Sequence, residues 1–245
     1  MVRIPILFCA VFCLSFGLTH AQDSIECQTK LSNFHEDVKA QRYDKAYDNW
    51  YFVKTNCPEL SLAIYSDGEK ILKHKIDNSE GETQLGFVND LLGLWKDRRQ
   101  YFENRTPIGE FGASACQLRY DYREELGEEL SDLYNCFDDA FKSDKENFTH
   151  PKSLYAYFSL LVEMYRKDQK QATELFNTYD EINEKIGLEI QNYSELLNAL
   201  VHKIDNGETL SSKEIKKRSA YESYLKNYAL INSNIETIIN TEGNC

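Results

Sequence analysis

The chain has 245 residues, with 28 Lys and Arg against 40 Asp and Glu, which gives a formal net charge of −12. This acidic balance argues against nucleic acid and against an anionic lipid surface as partners, because both attract clustered lysines and arginines. The 16 Tyr, 13 Phe and 2 Trp disfavour intrinsic disorder. Only 4 Pro and 11 Gly are present, too few for the frequent turns of a β-sandwich. The composition indicates an ordered globular protein with a sizeable core.

The first 21 residues have the pattern of a signal peptide. Arg3 supplies a positive start, residues 4–18 form an apolar run, and Thr19-His20-Ala21 fits a small-x-small cleavage site. The run is short for a bilayer, which needs about 20 residues. We therefore expect cleavage after Ala21, a periplasmic or exported location, and no transmembrane segment in the mature chain. A retained membrane anchor is the alternative.

Helical periodicity runs through almost the whole mature chain. The predicted helices cover residues 25–39, 43–53, 60–76, 85–102, 113–126, 128–142, 152–166, 170–204 and 212–239. Pro151 stands near the first position of one helix, and Ser211 with Glu214 offers a capping box at another. No period-two strand pattern is found. Helices joined by such short connectors are expected to pack as antiparallel hairpins.

One segment carries the pattern of the second helix of a tetratricopeptide repeat. After Tyr43, the small residue Ala46 is followed by Trp50, Val53 and Pro58 at spacings of four, seven and twelve. The small Ala46 allows two helices to approach closely, Trp50 fills the groove between hairpins, and Pro58 ends the helix.

A wider stretch, residues 27–102, resembles a family of exported tetratricopeptide-repeat-like proteins of Bacteroidetes. The resemblance rests on the Tyr-Asp-Lys-Ala-Tyr-x-x-Trp run, on residues 64–72 and on residues 94–102. It implies an all-α fold of tetratricopeptide-like hairpins stacked as an α-α superhelix, and it implies a scaffold without a reaction. We expect such hairpins over residues 22–110 and further hairpins of the same array over 111–245, continuing beyond residue 245 in the natural protein.

Five cysteines remain after cleavage, and export favours disulfides between them. Their spacing does not fit a CxxC zinc site. In a helical hairpin the start of one helix faces the end of the next, so we expect Cys27–Cys57 and Cys116–Cys136. Buried free thiols are the alternative reading. Cys245, the last residue, is left over, which indicates either that the natural chain continues beyond it or that it pairs with another chain.

No residue constellation indicates catalysis, and we expect no enzyme activity, no cofactor and no metal. The histidines His35, His74, His150 and His202 lack metal-ligand spacing. Two paired carboxylate groups, Glu124-Glu125 and Glu128-Glu129, fit a solvated face better than a glycoside hydrolase site. The basic run Lys213, Lys216, Lys217 and Arg218 either docks an acidic partner or is a charged outer helix face.

Trp95, Arg98, Arg99 and Tyr101 form a candidate partner-binding corner, since aromatic and arginine side chains dominate interaction hot spots. The same residues fit a helix end that packs on its neighbour. The sequence thus favours a non-enzymatic periplasmic helical-repeat scaffold for protein–protein interaction. The alternative is an exported helical protein that binds a small ligand; an enzyme with an unrecognised acidic site is the least favoured hypothesis.

Overall fold

The computed structural model describes residues 14–242, with side chains from Ile25 onward. Residues 1–13 of the expected signal peptide and Cys245 lie outside the described residues, and the side chains of residues 14–21 are not described, so the expectations about the signal peptide and Cys245 stay predictions. Within the described range all regular structure is helical: α1 (Leu14–Lys39), α2 (Tyr43–Asn56), α3 (Ala63–Asp77), α4 (Gly81–Tyr101), a 3₁₀ turn (Glu103–Arg105), α5 (Ile108–Asp121), α6 (Arg123–Leu126), α7 (Leu130–Ser143), α8 (Pro151–Arg166), α9 (Ala172–Asp205) and α10 (Ser212–Glu242). The predicted all-α class is confirmed.

The chain divides into two compact units, unit 1 ending at Thr106 and unit 2 beginning at Pro107. This division lies four residues before the boundary expected after residue 110. In unit 1, α1 packs on α2, α2 on α3 and α3 on α4. The order is that of two stacked tetratricopeptide-like hairpins, in which each helix contacts its neighbours along the chain.

Unit 2 is built around α8, which packs against α5, α7, α9 and α10. Its core is rich in aromatic side chains, with Phe137, Phe141, Tyr157 and Phe158 almost inaccessible to solvent. The two longest helices, α9 and α10, form an antiparallel hairpin with each other. α8 therefore organises the core, and the long hairpin is attached to it.

Several helix boundaries differ from the sequence prediction: α1 begins at Leu14 and not at 25, α4 begins at Gly81 and not at 85, and others differ by two or three residues. Two differences, in α5 and α6, involve identifiable contacts or turns. α5 begins at Ile108, not at residue 113, because Pro107 caps it and the Gly109 amide donates to Asp144 Oδ2 at 3.0 Å. The predicted helix 113–126 is broken at Tyr122, and the short α6 ends at Gly127, whose φ of 65° is the left-handed conformation that glycine favours. Neither the Asp144 contact nor the break has a signal in the periodicity.

Two predicted helix starts are confirmed. Pro151 is the first residue of α8. At α10, the Ser211 amide donates to Glu214 Oε2 at 2.9 Å, and the Glu214 amide donates to Ser211 Oγ at 3.3 Å. These reciprocal bonds make a capping box, which satisfies amides that the first turn of a helix leaves without partners.

Candidate interaction surfaces

The residues of the repeat pattern lie where α2 meets its neighbours. Ala46, Trp50 and Val53 are buried, and Trp50 Nε1 donates to the Ile64 carbonyl at 2.7 Å. A Cβ atom at Gly68 of α3 would lie 2.3 Å from Trp50 Nε1, so the indole occupies the space that the glycine leaves open. These contacts join the α1–α2 hairpin to α3.

The other two residues of the pattern flank this contact. The Tyr43 ring lies 5.1 Å from the His74 ring, and the Pro58 carbonyl accepts a hydrogen bond from the Tyr65 hydroxyl at 3.2 Å. Both contacts run from the ends of α2 to α3. Tyr43, Trp50 and Pro58 therefore contact residues of α3, and Ala46 and Val53 are buried.

The structure pairs the cysteines as the hairpin geometry predicts. The Cα atoms of Cys27 and Cys57 are 6.4 Å apart, and those of Cys116 and Cys136 are 5.7 Å apart, both within disulfide range. The second disulfide lines an open groove of about 480 Å³ between α5 and α7. Each disulfide closes one helical hairpin.

The proposed partner-binding corner at the end of α4 is largely engaged in contacts within unit 1. Trp95 is only 6% exposed, and its Nε1 donates to Glu69 Oε2 at 3.0 Å. Tyr101 stacks against Tyr65 with ring centroids 6.5 Å apart. The two aromatic rings are thus held in the α3–α4 packing.

The two arginines of the corner also contact their own unit. Arg98 Nη2 donates to the Arg105 carbonyl at 3.0 Å, and Arg99 Nη1 lies 3.5 Å from the Thr106 carbonyl. The four residues of the corner therefore lie together at the end of α4. The arginines contact the 3₁₀ turn and Thr106 that follow the helix, as expected of a packed helix end. Their role in binding a partner stays a prediction.

Histidines and carboxylates do not assemble a metal site in the described part of the chain, which contains no group of three potential ligands. His35 Nδ1 lies 2.5 Å from the buried Asp67 carboxylate, which also accepts from Lys70 Nζ at 2.8 Å. His74 lies beside Asp44, which accepts from Lys75. These side chains form ion pairs between or along helices. None of the described helices has the length and apolarity needed to cross a membrane.

The α9–α10 hairpin provides a surface of which the sequence analysis identified only the basic run from Lys213 to Arg218. Arg166, the last residue of α8, pairs with Glu242, and the Tyr228 hydroxyl donates to the Thr149 carbonyl just before α8 begins. The part of α10 that precedes Tyr228 therefore runs past the start of α8. We call residues 194–227, which form this free end of the hairpin, the arm.

The arm buries very little of its own surface. Leu200 is its one buried side chain, and α10 has no buried residue before Tyr228. Apolar side chains face solvent instead, with Leu196 40% and Ile215 56% exposed. Because a helical hairpin is normally stabilised by burying an apolar face, this surface is available to a partner.

A tyrosine cluster marks the root of the arm. Tyr193 of α9 stacks on Tyr224 of α10 with ring centroids 4.8 Å apart, and it also contacts Tyr221 and Tyr228. Burial, with smaller contributions from neighbouring phenols and Glu189, raises the pKa of Tyr193 to about 12. The Tyr193 hydroxyl is therefore neutral at physiological pH and can donate a hydrogen bond.

Two cavities flank the stacked pair. One, of about 610 Å³, lies between Tyr193 and residues 145–149 and contains the buried ion pair of Lys185 with Glu189, whose atoms are 2.6 Å apart. The other, of about 310 Å³, lies between Tyr224 and residues 150–152. The root of the arm is therefore a recessed aromatic surface with polar side chains close by.

The sequence does contain a signal for the arm, which the periodicity analysis left unused. α9 has 34 residues and α10 has 31, whereas α8 has 16, so the hairpin is too long to be covered by α8 along its whole length.

The comparisons with known proteins identify one similar solved structure and no family. No protein-family model matches the chain, and the search of curated proteins found no match. Among solved structures, the chain is similar to the one titled "Crystal structure of MamA protein", with 12% sequence identity and a TM-score of 0.42 over 86% of this chain and 94% of that chain. A likeness at this level carries no functional argument.

Proposed function

We propose that the protein is a non-enzymatic helical scaffold that binds a protein partner in the periplasm or after export. The observation that carries the proposal is the arm, a helical hairpin that runs past the core of unit 2 with its apolar side chains uncovered. Exposed apolar patches of this kind are typical of protein interaction sites. The resemblance to exported proteins of Bacteroidetes agrees with this role.

The two disulfides support the proposed location. Disulfides persist in oxidising compartments such as the bacterial periplasm and are rare in the cytosol. A cleaved signal peptide ending at Ala21 would deliver the chain there. Amino-terminal sequencing of the exported protein checks this directly, with Gln22 as the expected first residue.

Affinity capture of the tagged mature chain from its own envelope extract, with mass spectrometry, tests the scaffold. We expect a protein partner in stoichiometric amount. Two variants then locate its contact surface: charge reversal at Arg98 and Arg99 probes the corner of α4, and Tyr224→Ala probes the arm. Absence of any partner after mild crosslinking would contradict the proposal.

A small-ligand-binding protein is the second candidate, favoured by one specific feature. The cavity of about 610 Å³ places the buried Lys185–Glu189 pair beside the amides of Asn147 and Asn192. Converging polar groups at a cavity of this size are typical of ligand sites. If no protein partner is captured, thermal-shift screening of small molecules becomes the test, with Lys185→Met as the variant that should lose any shift.

A further inference from the structure

The lysines of α10 differ from the other lysines of unit 2 in their ion pairing. Before α10, each lysine lies within ion-pair distance of a carboxylate: Lys142, Lys145, Lys152, Lys167, Lys170, Lys185 and Lys203. Among the described residues, no carboxylate pairs with the lysines of α10, which are Lys213, Lys216, Lys217 and Lys226. In a chain with a net charge of −12, this leaves uncompensated positive charge in one place.

Two of these lysines share a face of α10 with the tyrosine cluster. Lys213, Lys217, Tyr224 and Ile231 are separated by four, seven and seven residues, which places them along one stripe of the helix. Both lysines are exposed. Tyr224 is the α10 member of the stacked tyrosine pair, and Ile231 lines the cavity of about 310 Å³ next to Tyr224. The stripe is therefore basic at one end and aromatic and apolar at the other.

We propose that this stripe binds an amphipathic segment of a protein partner, with acidic residues at one end and apolar residues at the other. The inference rests on the proposed scaffold function and names the chemistry of the partner. Carboxylates of the segment pair with Lys213 and Lys217, and its apolar side chains enter the recess beside Tyr224 and Ile231. Lys213 and Ile231 are 18 positions apart, about 27 Å along the helix, which a helix of similar length matches.

Charge and shape together favour a protein segment over a lipid surface. The free ammonium groups attract anions, but the −12 chain as a whole is repelled by an anionic membrane. The apolar end of the stripe leads into a recess of about 310 Å³ and is not a flat or protruding surface. A recess of this size accommodates one or two side chains, as the anchor pockets of helix-in-groove complexes do.

Site-specific photocrosslinking tests the proposal in cells that produce the full-length protein. p-Benzoylphenylalanine replaces Ala220, which lies on the stripe between Lys217 and Tyr224. The matched control places the same group at Ala229, nine residues or about two and a half turns further on, and so on the opposite face. Both alanines are exposed. We expect a crosslink from position 220 and none from position 229, with an acidic and apolar segment identified by mass spectrometry.

Charge reversal gives the second readout on the purified complex. Lys213→Glu with Lys217→Glu should weaken binding by about tenfold or more, because attraction becomes repulsion at both sites. Lys226→Glu, a charge reversal on the opposite face, should change it by no more than about twofold. Lys213 lies in the first turn of α10, where the helix dipole favours glutamate. Circular dichroism of the variant, with its helical content expected to be unchanged, separates loss of binding from a folding defect. Binding should also weaken as salt is added.

Several results would overturn the inference. They are a crosslinked segment without an acidic end, a crosslink to lipid or to a second copy of the chain, equal crosslinking from both alanines, or no crosslink at all. A captured partner that crosslinks only elsewhere overturns this inference and leaves the scaffold function standing. A chain that captures no protein by either method contradicts both.

Discussion

The α1–α2 and α9–α10 hairpins are both pairs of antiparallel helices, but they differ in how much of their apolar surface is buried. The α1–α2 hairpin is closed by Cys27–Cys57 and carries Trp50 into a contact with α3. The α9–α10 hairpin has no disulfide in its described part and leaves its free end with one buried side chain, Leu200. The first hairpin is closed by a disulfide and covered by α3, whereas the second leaves apolar side chains exposed to solvent.

The largest loss of unfolding free energy is expected from a substitution in the covered α1–α2 hairpin. Trp50→Ala removes the largest side chain at the α2–α3 contact and its hydrogen bond to the Ile64 carbonyl. We expect unit 1 to lose about 3–5 kcal/mol of unfolding free energy, the usual cost of a large cavity in a core. Urea unfolding followed by the fluorescence of Trp95, the other tryptophan of the chain, measures it.

Leu230→Ala is the comparison for that experiment, because Leu230 is an apolar residue of the α9–α10 hairpin that is 60% exposed. Its cost in unfolding free energy, followed by circular dichroism, should stay within about 0.5 kcal/mol. Similar losses in the two variants would contradict the distinction between a covered and an uncovered hairpin.

Removing the disulfide of the α1–α2 hairpin should have the next largest effect. Cys27 and Cys57 are 30 residues apart, and a loop of that length is worth about 3–4 kcal/mol through the entropy of the unfolded chain. The variant with Cys27→Ser and Cys57→Ser should therefore unfold at a lower urea concentration, measured by Trp fluorescence in both proteins.

The matched control removes the other disulfide by Cys116→Ser and Cys136→Ser. With 20 residues between the cysteines, the same entropic estimate gives a cost that is smaller by only a few tenths of a kcal/mol. An unchanged midpoint for the α1–α2 variant would show that this hairpin is held by packing alone. The Cys27–Cys57 disulfide would then not explain the difference in stability between the α1–α2 and α9–α10 hairpins.

Features of the fold that depend on residues close together in the sequence can be predicted from it, and features that depend on distant contacts cannot. The pairing of Cys27 with Cys57 and the capping box at Ser211 depend on hairpin order or on residues three apart, and the sequence predicts both. The break at Tyr122 and the early start of α5 depend on Gly127 and on Asp144, a contact across 35 residues that periodicity does not report. The sequence analysis identified the basic run of the arm but missed its uncovered apolar surface, because exposure depends on which helices cover a face, and this is a property of packing.

The smallest expected effect concerns the turn that closes the arm. Hydrogen bonds from Lys203, then from Ser211, lower the pKa of Glu214 from its ordinary value of 4.5 to about 2. Folding thus favours the ionised carboxylate. The sign follows: this contribution to stability is complete above pH 4.5, decreases as the pH falls, and is lost as the pH passes below about 2.

An NMR titration of the Glu214 side-chain carboxyl carbon measures this directly, with a midpoint expected near pH 2. Lys203→Met should move the midpoint up towards 4.5, and Ser211→Ala should move it less, because the Lys203 bond is the larger cause. A midpoint near 4.5 in the unaltered protein would mean that the turn between α9 and α10 is open in solution. The hairpin would then fray at the end where Lys213 and Lys217 lie, and a partner would have to order the arm as it binds, at a cost in affinity.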